Sequence, residues 1–259
     1  MIQLEDITHH YGVKPVLRGV SLRIERGELV VILGPNGMGK TTLLGVMAGV
    51  LSPQRGSVWI HGLRRRGSAA EELEIRRNSV YLPDQPWLPA ARTGREFLLA
   101  VGRLYELDDG RLTAHIEQLL DLFDLRDQGN SPIRTYSAGQ KKKIAICSAL
   151  VTEAPVLFLD EPFSGGLDPS GLLTVKRILQ HHARRKELTI VLTSPVPELV
   201  EEIATRIIVL HQGQILAFDT LDGLRRMTGR RGSLGDVLER LIFPDTTRKL
   251  DAYFQEFRR

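Results

Sequence analysis

The chain has 259 residues, 42% of them hydrophobic and 25% charged, with a formal net charge of +4. That length sustains one large core with room for a subdomain, while the small charge gives little attraction for nucleic acid. No run approaches the roughly 18 apolar residues needed to cross a bilayer, and Met1–Asp6 lacks the basic and apolar regions of a secretory leader.

Taken in chain order, Gln3–Ile7 and Ser21–Ile24 alternate apolar with polar residues, the pattern of half-exposed antiparallel strands, and Ser57–Ile60 does the same. Leu29–Leu33 is instead continuously apolar, the mark of a central parallel strand buried on both faces. It runs into Gly34-Pro35-Asn36-Gly37-Met38-Gly39-Lys40-Thr41-Thr42, which opens the helical pattern Leu43–Ala48. A strand, a glycine-rich turn and a helix N-terminus in that order form a phosphate-binding loop. Glycines let backbone N–H groups converge on phosphate oxygens, Lys40 reaches the β- and γ-phosphates, and the Thr41 hydroxyl is placed to ligate Mg²⁺.

Residues 64–77, rich in Arg and Glu, read as a polar connection. Between Gln85 and Val156 the pattern is helical. Thr93-Gly94-Arg95-Glu96 has capping-box spacing ahead of Phe97, Leu98, Val101 and Leu104, and Ile116, Leu119, Leu120 and Phe123 form a second apolar stripe. Ser137 and Gln140 repeat the capping-box spacing, so Ser137 is expected to N-cap a helix running through Ala149, with Lys141, Lys142 and Lys143 on its solvated face. Cys147, the only cysteine, sits in the apolar part of that helix. It excludes a disulfide framework, suits a reducing compartment and reads as a buried small hydrophobe. Val156–Leu159 is a second buried strand and ends in the paired carboxylates Asp160 and Glu161, the first suited to hold Mg²⁺ and the second to polarise an attacking water. Thr189–Leu192 is a third such strand. The seven histidines read mostly as surface residues, and no internal repeat or low-complexity tract is present.

Together these segments resemble the ATP-binding cassette of ABC transporters over residues 1–215. The resemblance implies an α/β fold with a P-loop NTPase core on a mostly parallel sheet, an antiparallel β subdomain and a helical subdomain inserted at about residues 86–155. It places Tyr11 against adenine, and Gln85 of Tyr81–Pro86 on Mg²⁺ and the transmembrane partner. Tyr136-Ser137-Ala138-Gly139-Gln140 matches the signature segment, with Ala138 where glycine is commonest, and its helix faces the nucleotide of an opposite protomer. Asp168, in Leu167-Asp168-Pro169, belongs to the loop that crosses between protomers. ATP and Mg²⁺ are the implied cofactors. The implied partners are a second cassette and a separate membrane-spanning permease, on the cytoplasmic face of the membrane, with no nucleic acid. Residues 95–107 and the short tail resemble exporter-type cassettes.

Two departures stand out. Pro162-Phe163-Ser164-Gly165-Gly166-Leu167-Asp168 has one residue more than the family spacing, and Pro195 occupies the place of a histidine that contacts the γ-phosphate. Proline offers neither a side-chain donor nor an N–H, which leaves open a slow or regulatory nucleotide-binding module. A cassette acting on DNA or ribosomes is the third reading, against which stand the single cassette and the absence of a long coiled-coil insertion. Residues 216–259 read as a closing hairpin that begins at Gly213, a basic loop at Arg230–Leu234 and a short amphipathic helix from Val237 to Phe243, packed on the core rather than laid on a membrane.

Overall fold

The computed structural model describes residues 1–186, 188–229, 232–243 and 253. Arg230 and Arg231 of the basic loop lie outside the described residues, as do 244–252 and 254–259 of the C-terminal extension. In chain order the first half contains β1 (Ile2–His10), β2 (Pro15–Ile24), β3 (Leu29–Leu33), α1 (Lys40–Ala48), β4 (Arg55–Ile60), β5 (Leu63–Arg64), α2 (Ala69–Arg77) and β6 (Ser79–Leu82). Then follow α3 (Gly94–Leu104), α4 (Asp109–Leu122), a 3₁₀ turn at Ile133–Thr135, α5 (Ala138–Leu150), β7 (Val156–Leu159) and α6 (Pro169–Arg185). The chain continues through β8 (Thr189–Thr193), α7 (Pro197–Ile203), β9 (Arg206–His211), β10 (Gln214–Asp219), α8 (Leu221–Thr228) and α9 (Leu234–Ile242).

The strands form two sheets. The alternating strands make an antiparallel four-stranded sheet in the order β2-β1-β4-β5, with Leu4 opposite Leu22 on one side and Val58 on the other. The continuously apolar strands make a six-stranded sheet in the order β10-β9-β3-β8-β7-β6, parallel throughout except for the β9–β10 hairpin. All five residues of β3 are buried, and so are all five of β8, because both faces of this sheet are covered. Leu29, Val31 and Leu33 point into the core shared with the helices, whereas Val30 and Ile32 point into the core shared with α1 and the antiparallel sheet. Two hydrophobic clusters thus clamp β3 from opposite sides, and the phosphate loop emerges from its C-terminal end.

Helices α3, α4 and α5 stand between β6 and β7 and pack on one another around Leu98, Ile116, Leu120 and Ile144. The capping box at Thr93 and Glu96 forms with both of its hydrogen bonds, and Ser137 and Gln140 form another on α5. Three expectations are corrected. Residues 64–77 are not merely a connection, since α2 forms there with Ser68 as N-cap; only Ile75 of that helix is buried, which is why no apolar period announces it. Leu104, at the last turn of α3, is exposed rather than core. Lys141–Lys143 cannot share one solvated face, because three successive helical positions sweep about 200°; Lys142 and Lys143 turn inward and are buried. Cys147 is fully buried, and burial holds its thiol pKa far above the ordinary value. Among the described residues no helix is long and apolar enough to cross a membrane.

Candidate functional site

The phosphate loop leaves β3 at Gly34 and enters α1 at Lys40. Gly39 is the N-cap residue with φ 99°, a left-handed conformation in which a side chain is strained, and no side chain caps α1. The first N–H groups of the helix are therefore directed at the space in front of the loop, where the helix dipole adds positive potential. Lys40 is 94% buried: its Nζ donates to the carbonyl oxygens of Gly34 at 2.9 Å and Pro35 at 3.2 Å. Burial lowers its pKa, opposed by the nearby carboxylates of Glu161 and Asp160.

A cleft of about 450 Å³ opens above the loop, lined by Asn36, Gly37, Gly39, Lys40, Thr41 and Thr42 together with Tyr11, Val16 and Glu161. Tyr11 is largely exposed, its hydroxyl 3.4 Å from Thr42 Oγ1 and its ring edge-on to His9 at 4.9 Å. His9 itself is buried, with Nδ1 2.9 Å from the Ser52 carbonyl oxygen, an exception to the surface reading of the histidines.

Asp160 ends β7 and is buried beneath the loop. Its Oδ1 accepts from Thr41 Oγ1 at 3.2 Å and from Thr193 Oγ1 at 2.6 Å. Thr193 in turn accepts the backbone N–H of Glu161 at 2.9 Å. Glu161 has φ 44°, an uncommon conformation for a residue with a side chain, and such strain concentrates where a site requires a particular aim. Here it turns the Glu161 side chain toward the cleft while that of Asp160 stays under the loop. A hydroxyl beside a carboxylate is the hard-oxygen donor set that Mg²⁺ takes when phosphate and water supply the remaining ligands. No cluster of three His, Cys, Asp or Glu occurs among the described residues.

The remaining expected site residues lie elsewhere. Gln85 is exposed and does not line the cleft; its half-exposed neighbour Asp84 is the one that accepts a hydrogen bond from the loop after Glu161. Ser137 and Gly139 stand at the N-terminus of α5, and a Cβ at Gly139 would lie 2.6 Å from the carbonyl oxygen of Gly166 in the loop after Glu161. Asp168 N-caps α6 through the Gly171 N–H at 2.7 Å and accepts from Lys143 Nζ at 3.0 Å; these bonds, the backbone one first, hold its pKa below the ordinary value. Pro195 lines a separate, mostly apolar cavity of about 260 Å³, between Leu33–Pro35 and α9. Beside it, buried Ser194 accepts the Val196 N–H at 3.2 Å. The residue reading missed Val16, Thr193, Asp84 and Lys142. Of these, only the Thr-Ser end of β8 carried a signal, a pair of hydroxyls after a fully apolar strand.

Strand, uncapped helix N-terminus, buried lysine and paired carboxylates together define a P-loop nucleotide-binding protein. The ABC transporter family description matches residues 17–164, more than half of the chain. The chain is 35% identical over 228 residues to the daunorubicin resistance ATP-binding protein DrrA3 of Streptomyces coeruleorubidus, covering 88% of this chain and 71% of that one. It is 33% identical over 228 residues to the ABC transporter ATP-binding protein NatA of Bacillus subtilis (strain 168), covering 86% and 91%. A solved ATP-binding subunit of an ABC transporter superposes with TM-score 0.86 at 30% identity, covering 93% of this chain and 99% of that one. The chain belongs to the ABC transporter family, as one of its ATP-binding cassettes.

Proposed function

We propose that this cassette hydrolyses ATP to drive export through a separate membrane-spanning subunit, as one half of a pair of cassettes on the cytoplasmic face. The observation that carries the reading is the convergence in one cleft of the phosphate loop and Glu161, with the Asp160–Thr41 pair directly beneath. Export rests on the similarity to a protein named for drug resistance and on residues 95–107. Ser137 and Gly139, which do not line the cleft, are among the residues that the family resemblance assigns to the nucleotide of a partner cassette.

The chain's own residues divide the work. Tyr11 stacks on the base. The N–H groups of Gly37–Thr42 and the Lys40 ammonium bind the β- and γ-phosphates, exchanging the carbonyl partners of Lys40 for phosphate oxygens. Thr41 and Asp160 would hold Mg²⁺, which would offset phosphate charge. Glu161, fixed in its left-handed conformation, orients the attacking water and takes up its proton. Chemistry of this kind is chiefly positioning and charge stabilisation. A slow regulatory module is the weaker reading, since Lys40, Asp160 and Glu161 are all in place and related chains are ATP-binding transport subunits.

Lys40→Ala tests the assignment. A charge-assisted contact in a water-poor site contributes about 1.5–3 kcal/mol, so the ATP dissociation constant, measured by fluorescence titration, should rise about tenfold or more. A dissociation constant within twofold of the parent would contradict it.

A further inference from the structure

The loop that follows Glu161 is tied to the segment that follows β6 by a small polar cluster. Ser164 Oγ lies 2.6 Å from Asp84 Oδ1 and 2.8 Å from the Glu161 carbonyl oxygen. A hydroxyl has one proton to donate, so it serves one acceptor at a time, and the shorter contact to a carboxylate is the stronger. Lys142 of α5 closes the cluster from below. Its Nζ donates to the Asp84 carbonyl oxygen at 3.2 Å and lies 3.6 Å from Asp84 Oδ1. The Lys142 side chain is 4% exposed against 42% for Asp84, so a buried cation depends on a partner that sits at the protein surface.

We propose that Asp84, Ser164 and Lys142 form a latch that sets the aim of Glu161 according to where the segment after β6 sits. The inference rests on the hydrolytic reading of Glu161. The peptide group before Glu161 is held by Thr193, which accepts the Glu161 N–H at 2.9 Å. The peptide group after it is held by Ser164, whose backbone N–H donates to the Glu161 carbonyl oxygen at 3.1 Å and whose hydroxyl is the second possible donor. Fixing both flanking peptides fixes the Cα–Cβ direction of a residue already at φ 44°. Asp84 decides which acceptor the Ser164 proton serves. When Asp84 withdraws, the hydroxyl turns to the Glu161 carbonyl and the C-terminal side of that clamp changes. Asp84, Ser164 and Lys142 do not line the nucleotide cleft; they are positioning residues that act through Glu161.

ATP turnover and ATP affinity of the full chain test the latch. Ser164→Ala should lower kcat about tenfold, the scale of a sub-ångström misplacement of a reacting group, with the ATP dissociation constant within twofold of the parent. Ser164→Thr, which restores the hydroxyl, should recover most of the loss. Asp84→Asn should also lower kcat, and the Asp84→Asn, Ser164→Ala double variant should fall no further than Ser164→Ala alone, because both act on one proton. Amide hydrogen exchange should rise at residues 161–168 in both single variants while residues 34–42 keep their protection. An unchanged kcat in Ser164→Ala, losses that multiply in the double variant, or an affinity that weakens in step with turnover would overturn the latch. A parent chain that binds ATP without any turnover would instead overturn the hydrolytic reading, and the latch with it.

Discussion

Glu161 and Pro195 show how much a single position decides. Glu161 lines the cleft with its backbone at φ 44°, and Thr193 holds its N–H there. Pro195 departs from the family resemblance, and the structure sets it against Pro35 and the C-terminal helix rather than in the cleft. A lost preorganised donor near developing charge commonly costs about 2.7–4 kcal/mol of transition-state stabilisation. Pro195→His restores an imidazole at the end of β8, and where that longer side chain turns from the cavity to the cleft, kcat should rise in a steady-state phosphate-release assay with little change in ATP affinity. A fast parent enzyme that loses activity on this substitution would show a different γ-phosphate arrangement. The phosphate loop was legible because its chemistry is contiguous, from Gly34 to Thr42. Thr193 shows only a pair of hydroxyls after an apolar strand, and its bridging role is not legible because its partner Asp160 lies 33 residues away. Lys142 was misread for the same reason: its partner Asp84 is 58 residues distant, and a run of three lysines reads as solvated until the helix is wound.

At the scale of elements, strand type followed from hydrophobic period: alternating segments became the antiparallel sheet and continuous ones the buried parallel sheet. Capping boxes located α3 and α5. Helix α2 escaped because its single buried residue, Ile75, leaves no stripe to read. Helix α9 packs on the core through Leu234, Val237 and Ile242, and its anchoring is tertiary. Glu201 of α7 accepts the Leu234 N–H at 3.0 Å and the Arg225 guanidinium at 2.7 Å, so the helix that follows the Pro195 turn also orients α9. Leu238 of α9 is 9% exposed and lines the cavity beside Pro195. Leu238→Ala should destabilise the fold by about 2 kcal/mol, the low end for buried leucine because a cavity already adjoins it. In a thermal melt that corresponds to a drop of about 4–8 °C for a domain of this size. An unchanged melting temperature would mean that α9 contributes nothing to the core.

On the scale of the whole molecule, two cores grip β3 from opposite faces and hold the phosphate loop at its end. The Asp160–Glu161 pair ends β7 in the same sheet, separated from β3 only by β8. Nucleotide binding and hydrolysis therefore share one rigid sheet, while the signature helix α5 stands on the inserted helical layer, away from the cleft of its own chain. On the reading proposed above, a second cassette completes a site split in this way. On that reading ATP closes the pair and Glu161 reopens it through hydrolysis. Glu161→Gln keeps the shape and removes the base. The decisive measurement is the solution mass of this variant by light scattering, with ATP and Mg²⁺ and again with ADP, beside its phosphate release. The variant should be a stable dimer with ATP and a monomer with ADP, and should hydrolyse ATP far below the parent rate. A variant that binds ATP yet turns it over at the parent rate and never dimerises would contradict it.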